Sequence, residues 1–315
     1  MVRLLLPVGI IFSLVLACLV PEPGAWLDGQ TASPVRVDHL LIFTIFLLTG
    51  WSLRGLSGSI LSEIPRPFMI CLLAHLVMWP LAVFGLSLVS FIPSDWHSGL
   101  IILAAVPTTL SSAVVISRQS GGNDPLAIIL TFVLSLASVL TSPLILRICL
   151  PAQEFQFPTL QLTFLLAMVV ALPLSIGMAL RRIAKPSWTK QIPSFCILLL
   201  VWMTASTHQE SLLQLGWKTQ FILAALAICL HITALLIFTG ISKLFLRNKR
   251  DQITTILVSS QKTLPLAVAL LASIPLSTNS AAIAISLFVL YHLFQILIDS
   301  LWAPTLCPED RFHLI

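Results

Sequence analysis

Charge is what this chain has least of. Only 9% of its 315 residues are Asp, Glu, Lys or Arg, against about 25% in a soluble globular chain. With 57% hydrophobic residues and a mean hydropathy of +1.02, so few charges exclude a wetted surface on a soluble domain of this length. A basic block interleaved with aromatics is also missing. The net charge of +5 comes from residues in short loops between apolar runs, which excludes a nucleic-acid partner. The six cysteines (18, 71, 149, 196, 229, 307) form no CxxC pair, so neither a disulfide nor a zinc framework is legible. Nor is there a GxSxG, an HExxH or a P-loop. Asp299 is the only acid well inside an apolar run, which argues against a paired-carboxylate enzyme. The chain reads as a non-enzyme without a cofactor, save for a coupling ion.

What is present is a series of long apolar runs. A bilayer core needs roughly 20 apolar residues per helix. Ten candidate spans fall at about 4–20, 38–56, 66–91, 97–119, 124–149, 158–181, 192–208, 218–245, 252–276 and 279–301. Gly121-Gly122-Asn123-Asp124-Pro125 reads as a helix stop, a cap and a proline opening the next helix. Pro21-Glu22-Pro23-Gly24 and Ala184-Lys185-Pro186-Ser187 read as breaks. Arg3 followed by apolar residues and Ala17-Cys18 also fits a signal segment or a lipoprotein box, but the charge parity works only with the segment retained. With both termini cytoplasmic, thirteen basic residues fall inside and three outside, as the positive-inside rule expects. The one basic residue left over is Lys262.

Two spans are interrupted. The fourth carries Pro107 amid Thr108, Thr109, Ser111 and Ser112; the ninth carries Pro265 just after Ser260-Gln261-Lys262-Thr263. Proline removes a backbone donor and frees a carbonyl, and in lipid such groups survive only against protein or a watered cavity. Paired interruptions at corresponding places point to an inverted-repeat transporter with a midplane site. The fold expected is therefore all-α and polytopic, with ten transmembrane helices in two inverted five-helix repeats, 1–149 and 150–315. A simple proline kink packed by hydroxyls remains the alternative for either span taken alone.

Lys262 lies twelve residues after Arg250, roughly 18 Å into the membrane on a helix. Its stem of about 6 Å cannot snorkel that far, so it is a candidate site residue by default. The alternative is a structural pair with a carboxylate, and no acid stands clearly at its depth. Thr131, Ser135, Ser138 and Ser142 share one face of the fifth span, as ordinary interhelical glue would. His292, Gln295 and Asp299 form an inward stripe on the tenth. His75 and His231 each read as hydrogen-bonded core histidines when taken alone.

PTTLSSAVV followed by SGGND, then SSQKTLPLAV, then VLYHLFQILIDS, together resemble the bile acid:sodium symporter superfamily, in the SBF-like branch around solute carrier family 10 member 7. The resemblance runs from about residue 40 to 305. It implies a panel domain of spans 1, 2, 6 and 7 and a core domain of spans 3–5 and 8–10. It further implies crossing fourth and ninth helices, with a substrate site between panel and core. Sodium-coupled members bind two sodium ions behind the crossing. Ser112, Thr131 and Gln261 match sodium-ligand positions, but Ala113 stands for an asparagine, His75 for a glutamine, and Leu257 falls near the family's glutamate. Loss of that carboxylate argues against two-sodium coupling.

The function expected is secondary active transport of a small anionic organic solute by alternating access. Ser260, Gln261, Lys262, Thr263, Thr108, Thr109, Ser111, Ser112, Thr131, His75, His292 and Gln295 are the candidate ion- and substrate-binding residues. Lys262 has two open roles: it replaces sodium permanently, or it exchanges a proton, with His75 as a second titrating group. The coupling ion is sodium, a proton or neither. The alternative is a non-transporting membrane scaffold or regulator of calcium or glycan-precursor handling. The expected location is a membrane of the bacterial inner type, in contact with lipid; nothing in the sequence speaks to oligomeric state.

Overall fold

The computed structural model describes residues 2–29, 36–51, 65–87, 92–109, 112–150, 159–180, 183, 186, 189 and 191–306. All regular structure among them is helical. In chain order the helices are α1 (Val2–Leu19), α2 (Pro21–Asp28), α3 (Val37–Trp51), α4 (Pro65–Leu73), α5 (Trp79–Ser87), α6 (Ser94–Ala105), α7 (Ser112–Gln119) and α8 (Asp124–Cys149). They continue as α9 (Thr159–Leu166), α10 (Leu172–Ala179), α11 (Ile192–Thr207), α12 (Gln209–Gln214), α13 (Gly216–Phe245), α14 (Lys249–Ser260), α15 (Leu264–Ser273) and α16 (Thr278–Trp302).

Local chemistry sets many of these boundaries. Gly121, at φ 76°, follows the end of α7, and Asn123 accepts from the Leu126 N–H at 3.2 Å to cap α8. Asn248 and Ser277 cap α14 and α16 in the same way. Two π turns, Ala74–Met78 and Ala167–Ala171, join α4 to α5 and α9 to α10. Each precedes a proline, Pro80 or Pro173, whose ring would press on the carbonyl four residues back, Leu76 or Val169. Widening the turn relieves that clash without breaking the helix.

The ten-span expectation, and with it the fold of two five-helix repeats, is corrected. Six helices among the described residues are long and apolar enough to cross a bilayer: Pro65–Leu86, Asp124–Cys149, Thr159–Ala179, Gly216–Phe245, Lys249–Ser273 and Thr278–Trp302. A seventh is reached only if α1 and α2 count as one span, and they meet at a bend of 99°. The reasons are physical. Pro21 does not merely break the chain; it opens α2 as a first-turn proline. Helices α3 and α11 hold only 15 and 16 residues, and the expected fourth span is split into pieces of 12 and 8. Hydropathy counts apolar residues but registers neither bends nor interruptions.

The helices pack in two groups. In one, α3 lies along α10 and α11, and α11 also packs on α1 and α2. The α3–α10 approach depends on two glycines: a Cβ on Gly177 would stand 2.1 Å from the Leu47 carbonyl oxygen, and one on Gly50 2.3 Å from that of Leu174. In the other, α16 packs on α6 and α13, α14 on α7, α8 and α13, and α15 on α16. Nearly all of the 249–273 segment is buried, whereas α13 leaves most of its surface outward. The interrupted α14–α15 helix is therefore the centre of its group.

Candidate functional site: two interrupted helices in contact

Helix α6 ends at Ala105, and Val106 turns extended at φ −77°, ψ 144°. Helix α14 ends at Ser260, with Gln261 extended at φ −80°, ψ 150°. Pro265 then falls in the first turn of α15, where its missing N–H costs nothing. The two interruptions touch: the Thr263 N–H donates to the Pro107 carbonyl at 3.0 Å. Backbone groups freed by each break are thus partly satisfied by the other, as a low-dielectric interior demands.

Lys262 occupies this contact and is only 3% exposed. Its Nζ donates to the carbonyls of Ala104, at 2.9 Å, and Val106, at 2.8 Å, at the end of α6 where the helix dipole is negative. The ammonium also lies 4.6 Å from the centre of the Trp79 ring, within cation–π range. Trp79 is fixed in turn by its Nε1–H, which donates to the Ser259 carbonyl at 3.0 Å. The Gln295 amide clamps the backbone of the same residue. It accepts from the Lys262 N–H at 2.8 Å and donates to the Lys262 carbonyl at 2.7 Å. Its second N–H faces His292 Nδ1 at 2.9 Å, so that nitrogen accepts and the ring proton sits on Nε2.

A second chain of bonds leads away from Gln261. Ser112 Oγ donates to Gln261 Oε1 at 2.9 Å, and Gln261 Nε2 donates to Asp299 Oδ2 at 2.6 Å. Asp299 Oδ1 lies 2.8 Å from His231 Nε2, and His231 Nδ1 lies 3.3 Å from the Tyr291 hydroxyl. That hydroxyl donates to the Ser260 carbonyl at 2.8 Å, returning the chain to the end of α14. His231, Gln295 and Asp299 are fully buried, and Tyr291 nearly so.

The expected site residues divide accordingly. Lys262, Gln261, Ser112, Gln295, His292 and the backbones of Ser260 and Thr263 are brought together. Thr108 and Thr109 are buried in the α6–α7 interruption, and Thr108 Oγ1 has no partner among the described protein atoms. Ser111 lies outside the described residues. Thr131 spends its hydroxyl on the Ala127 carbonyl of its own helix. His75, in the first π turn, bonds Thr141 on α8 through Nε2 at 3.1 Å. Two of the three sodium-ligand matches, Ser112 and Gln261, are thus bonded to each other, and the third is satisfied elsewhere. Among the described residues no group of three or more His, Cys, Asp or Glu could hold a metal.

Sequence reading passed over Trp79 and Tyr291, took His231 only as a hydrogen-bonded core histidine, and set Asp299 apart from Lys262. One signal was available: Tyr291 is the only tyrosine in the chain, placed beside His292 on the polar stripe.

Comparison with known proteins identifies the family. The SBF-like CPA transporter family matches residues 5–307. A probable sodium/metabolite cotransporter, BASS4, of Arabidopsis thaliana is 31% identical over 254 residues, covering 70% of this chain and 58% of that protein. The Oryza sativa subsp. indica protein of the same name is 28% identical over 319 residues, 94% of this chain and 74% of its own length. Sodium/bile acid cotransporter 7-A of Xenopus laevis is 26% identical, covering 95% of this chain and 90% of its own. The family is one of transporters rather than enzymes, these plant and frog relatives are eukaryotic, and this integral membrane chain belongs to the SBF-like CPA transporter family.

Proposed function

We propose that this protein is a secondary active transporter of a small organic solute, working by alternating access, in which Lys262 takes the place of a coupling cation. The observation that carries this reading is the Lys262 ammonium seated on the Ala104 and Val106 carbonyls, where a bare cation would otherwise find its oxygens. Helices α1, α3 and α9 to α11 act as the panel, and α4 to α8 with α13 to α16 as the moving core. Between them lies a cavity of about 270 Å³, lined by Leu14, Cys18, Gln209, Gln220, Ser286 and Val289 among others. Its size suits a small solute. Among the described residues no charged side chain lines it, so the anionic character expected of the solute rests on Lys262. The bacterial inner-membrane assignment draws no support from the eukaryotic relatives.

The test is uptake by the reconstituted chain, after a thermal-shift screen of small organic anions identifies a ligand. Wild-type uptake should be indifferent to an imposed sodium gradient. Lys262→Ala should lose uptake without sodium and regain part of it when sodium can enter the vacated carbonyls. Full sodium-independent uptake by Lys262→Ala would overturn the assignment. Silence of every solute in both assays would favour a non-transporting scaffold.

A further inference from the structure

Three further cavities run end to end between α4–α5 and α13. The first, of about 340 Å³, is lined by Trp79, Met78, Ala82, Cys229 and Ala234 among others. The second, of about 440 Å³, shares Met78 with it and continues past Met69 and Phe245 to Arg66. The third, of about 390 Å³, shares Arg66 and Phe245 with the second and adds Arg247 and Asn248. Together they make one groove, and it shares no lining residue with the cavity between the two helix groups.

The chemistry of the groove changes along its length. From Trp79 to Phe245 its walls are apolar but for Cys229 and Thr233. Both spans that form it leave most of their surface outward, so lipid tails are what they meet. At the other end Arg66 and Arg247 line one cavity. Among the described residues neither guanidinium has a hydrogen-bond or ion-pair partner. Asp251 lines this end too, but it is only 8% exposed and accepts from Asn123 Nδ2 at 2.7 Å. Two helices also begin here, α4 at Pro65 and α14 after its cap Asn248. Their positive dipole ends add to the two guanidiniums. Arg66 stands in the first turn of α4 with no acid beside it in that turn, an unfavourable place for a cation unless an anion sits nearby.

We propose that this groove binds one membrane phospholipid with an anionic headgroup, its head between Arg66 and Arg247 and one acyl chain lying along α13 to Trp79. The length fits. Trp79 follows Arg66 by thirteen residues, about 20 Å of helical rise. Half of a bilayer, headgroups included, is about 20–22 Å. A soluble organic anion would leave the apolar length unfilled. A second copy of this chain would bring a net charge of +5 against two unpaired guanidiniums. The phospholipid satisfies both ends. It also bears on Lys262, because the indole that lines the groove is the one 4.6 Å from the ammonium. An acyl chain there keeps water off the ring, and a dry ring holds a cation more tightly. The lipid site goes beyond the transport reading and stands whether or not the chain moves a solute.

The experiment is native mass spectrometry of the full chain, delipidated in mild detergent and titrated with phosphatidylglycerol or phosphatidylcholine of identical chains. One phosphatidylglycerol should bind per chain, ahead of phosphatidylcholine. A basic side chain near an anionic lipid surface is worth about fivefold in binding. Arg66→Gln combined with Arg247→Gln should therefore weaken phosphatidylglycerol about 25-fold and leave phosphatidylcholine nearly unchanged. Arg147→Gln, in the last turn of α8 and outside the groove, should change neither. Ala82→Phe fills the deep end from α5, and Cys229→Phe fills it from α13. Both residues are exposed, so the added ring enters the groove rather than the core, and each variant should bind both lipids more weakly. Thermal unfolding checks that every variant is folded, and either filled variant suffices if the other is not. Equal binding of the two lipids by the wild type overturns the proposal, as does undiminished phosphatidylglycerol binding in the double or a filled variant. Competition by glycerol 3-phosphate alone would reduce the basic end to a site for free phosphate. A lipid-free dimer would make the groove an interface between copies. Either result sinks the phospholipid assignment.

Discussion

Lys262 is solvated by backbone rather than by a carboxylate, and the residues that hold it do so by position. Gln295 bonds both the N–H and the carbonyl of Lys262, which fixes where the lysine stem starts. Gln295→Leu leaves those two buried groups unpaired, at about 1–3 kcal/mol each when nothing replaces the bond. The variant should unfold at a lower temperature in detergent than the wild type. Gln295→Glu, which still accepts from the N–H, should fall between them. Equal melting of all three would show that the clamp carries no stability. Sequence reading could place Lys262 by its depth and Gln295 by helical spacing, since both follow from local counting. It could not join Asp299 to His231, because that contact spans 68 residues and two helices. A lone buried histidine carries no mark of its partner.

At the scale of elements, helix starts were legible because their causes are local. Asn123, Pro125 and Pro265 act within one turn of themselves. Helix lengths were less so, because a bend such as that between α1 and α2 depends on what the second piece packs against. The close α3–α10 contact is another feature that only tertiary structure reveals. Gly177→Ala should drive a methyl group onto the Leu47 carbonyl, 2.1 Å away, and overpacking of this kind costs about 1–3 kcal/mol. Gly240 on α13 is the matching control, for a Cβ there meets nothing within 4 Å. Gly240→Ala should be neutral or stabilising by up to about 1 kcal/mol. Thermal unfolding of the two variants side by side checks the contrast, and equal effects would mean that the α3–α10 contact yields freely.

At the scale of the molecule, the cavity between α1, α11 and α12 on one side and α13 and α16 on the other tests the motion itself. Alternating access by core against panel requires that this gap change width. It does not require that α3 move relative to α10, whose glycine-mediated contact is too close to slide. Cysteines replacing Leu213 on α12 and Val289 on α16, both lining the cavity, should arrest uptake once joined by a short bismaleimide. The background should lack Cys18, Cys149 and Cys229, which are free and reachable. A second pair, Trp51→Cys and Ile183→Cys, replaces residues joined across the first group by a 3.2 Å hydrogen bond, and its cross-link should leave uptake intact. Arrest by both pairs would mean that the first group also deforms during transport. Arrest by neither would mean that the solute passes without separating the two groups, and the division into panel and core would have no mechanical meaning.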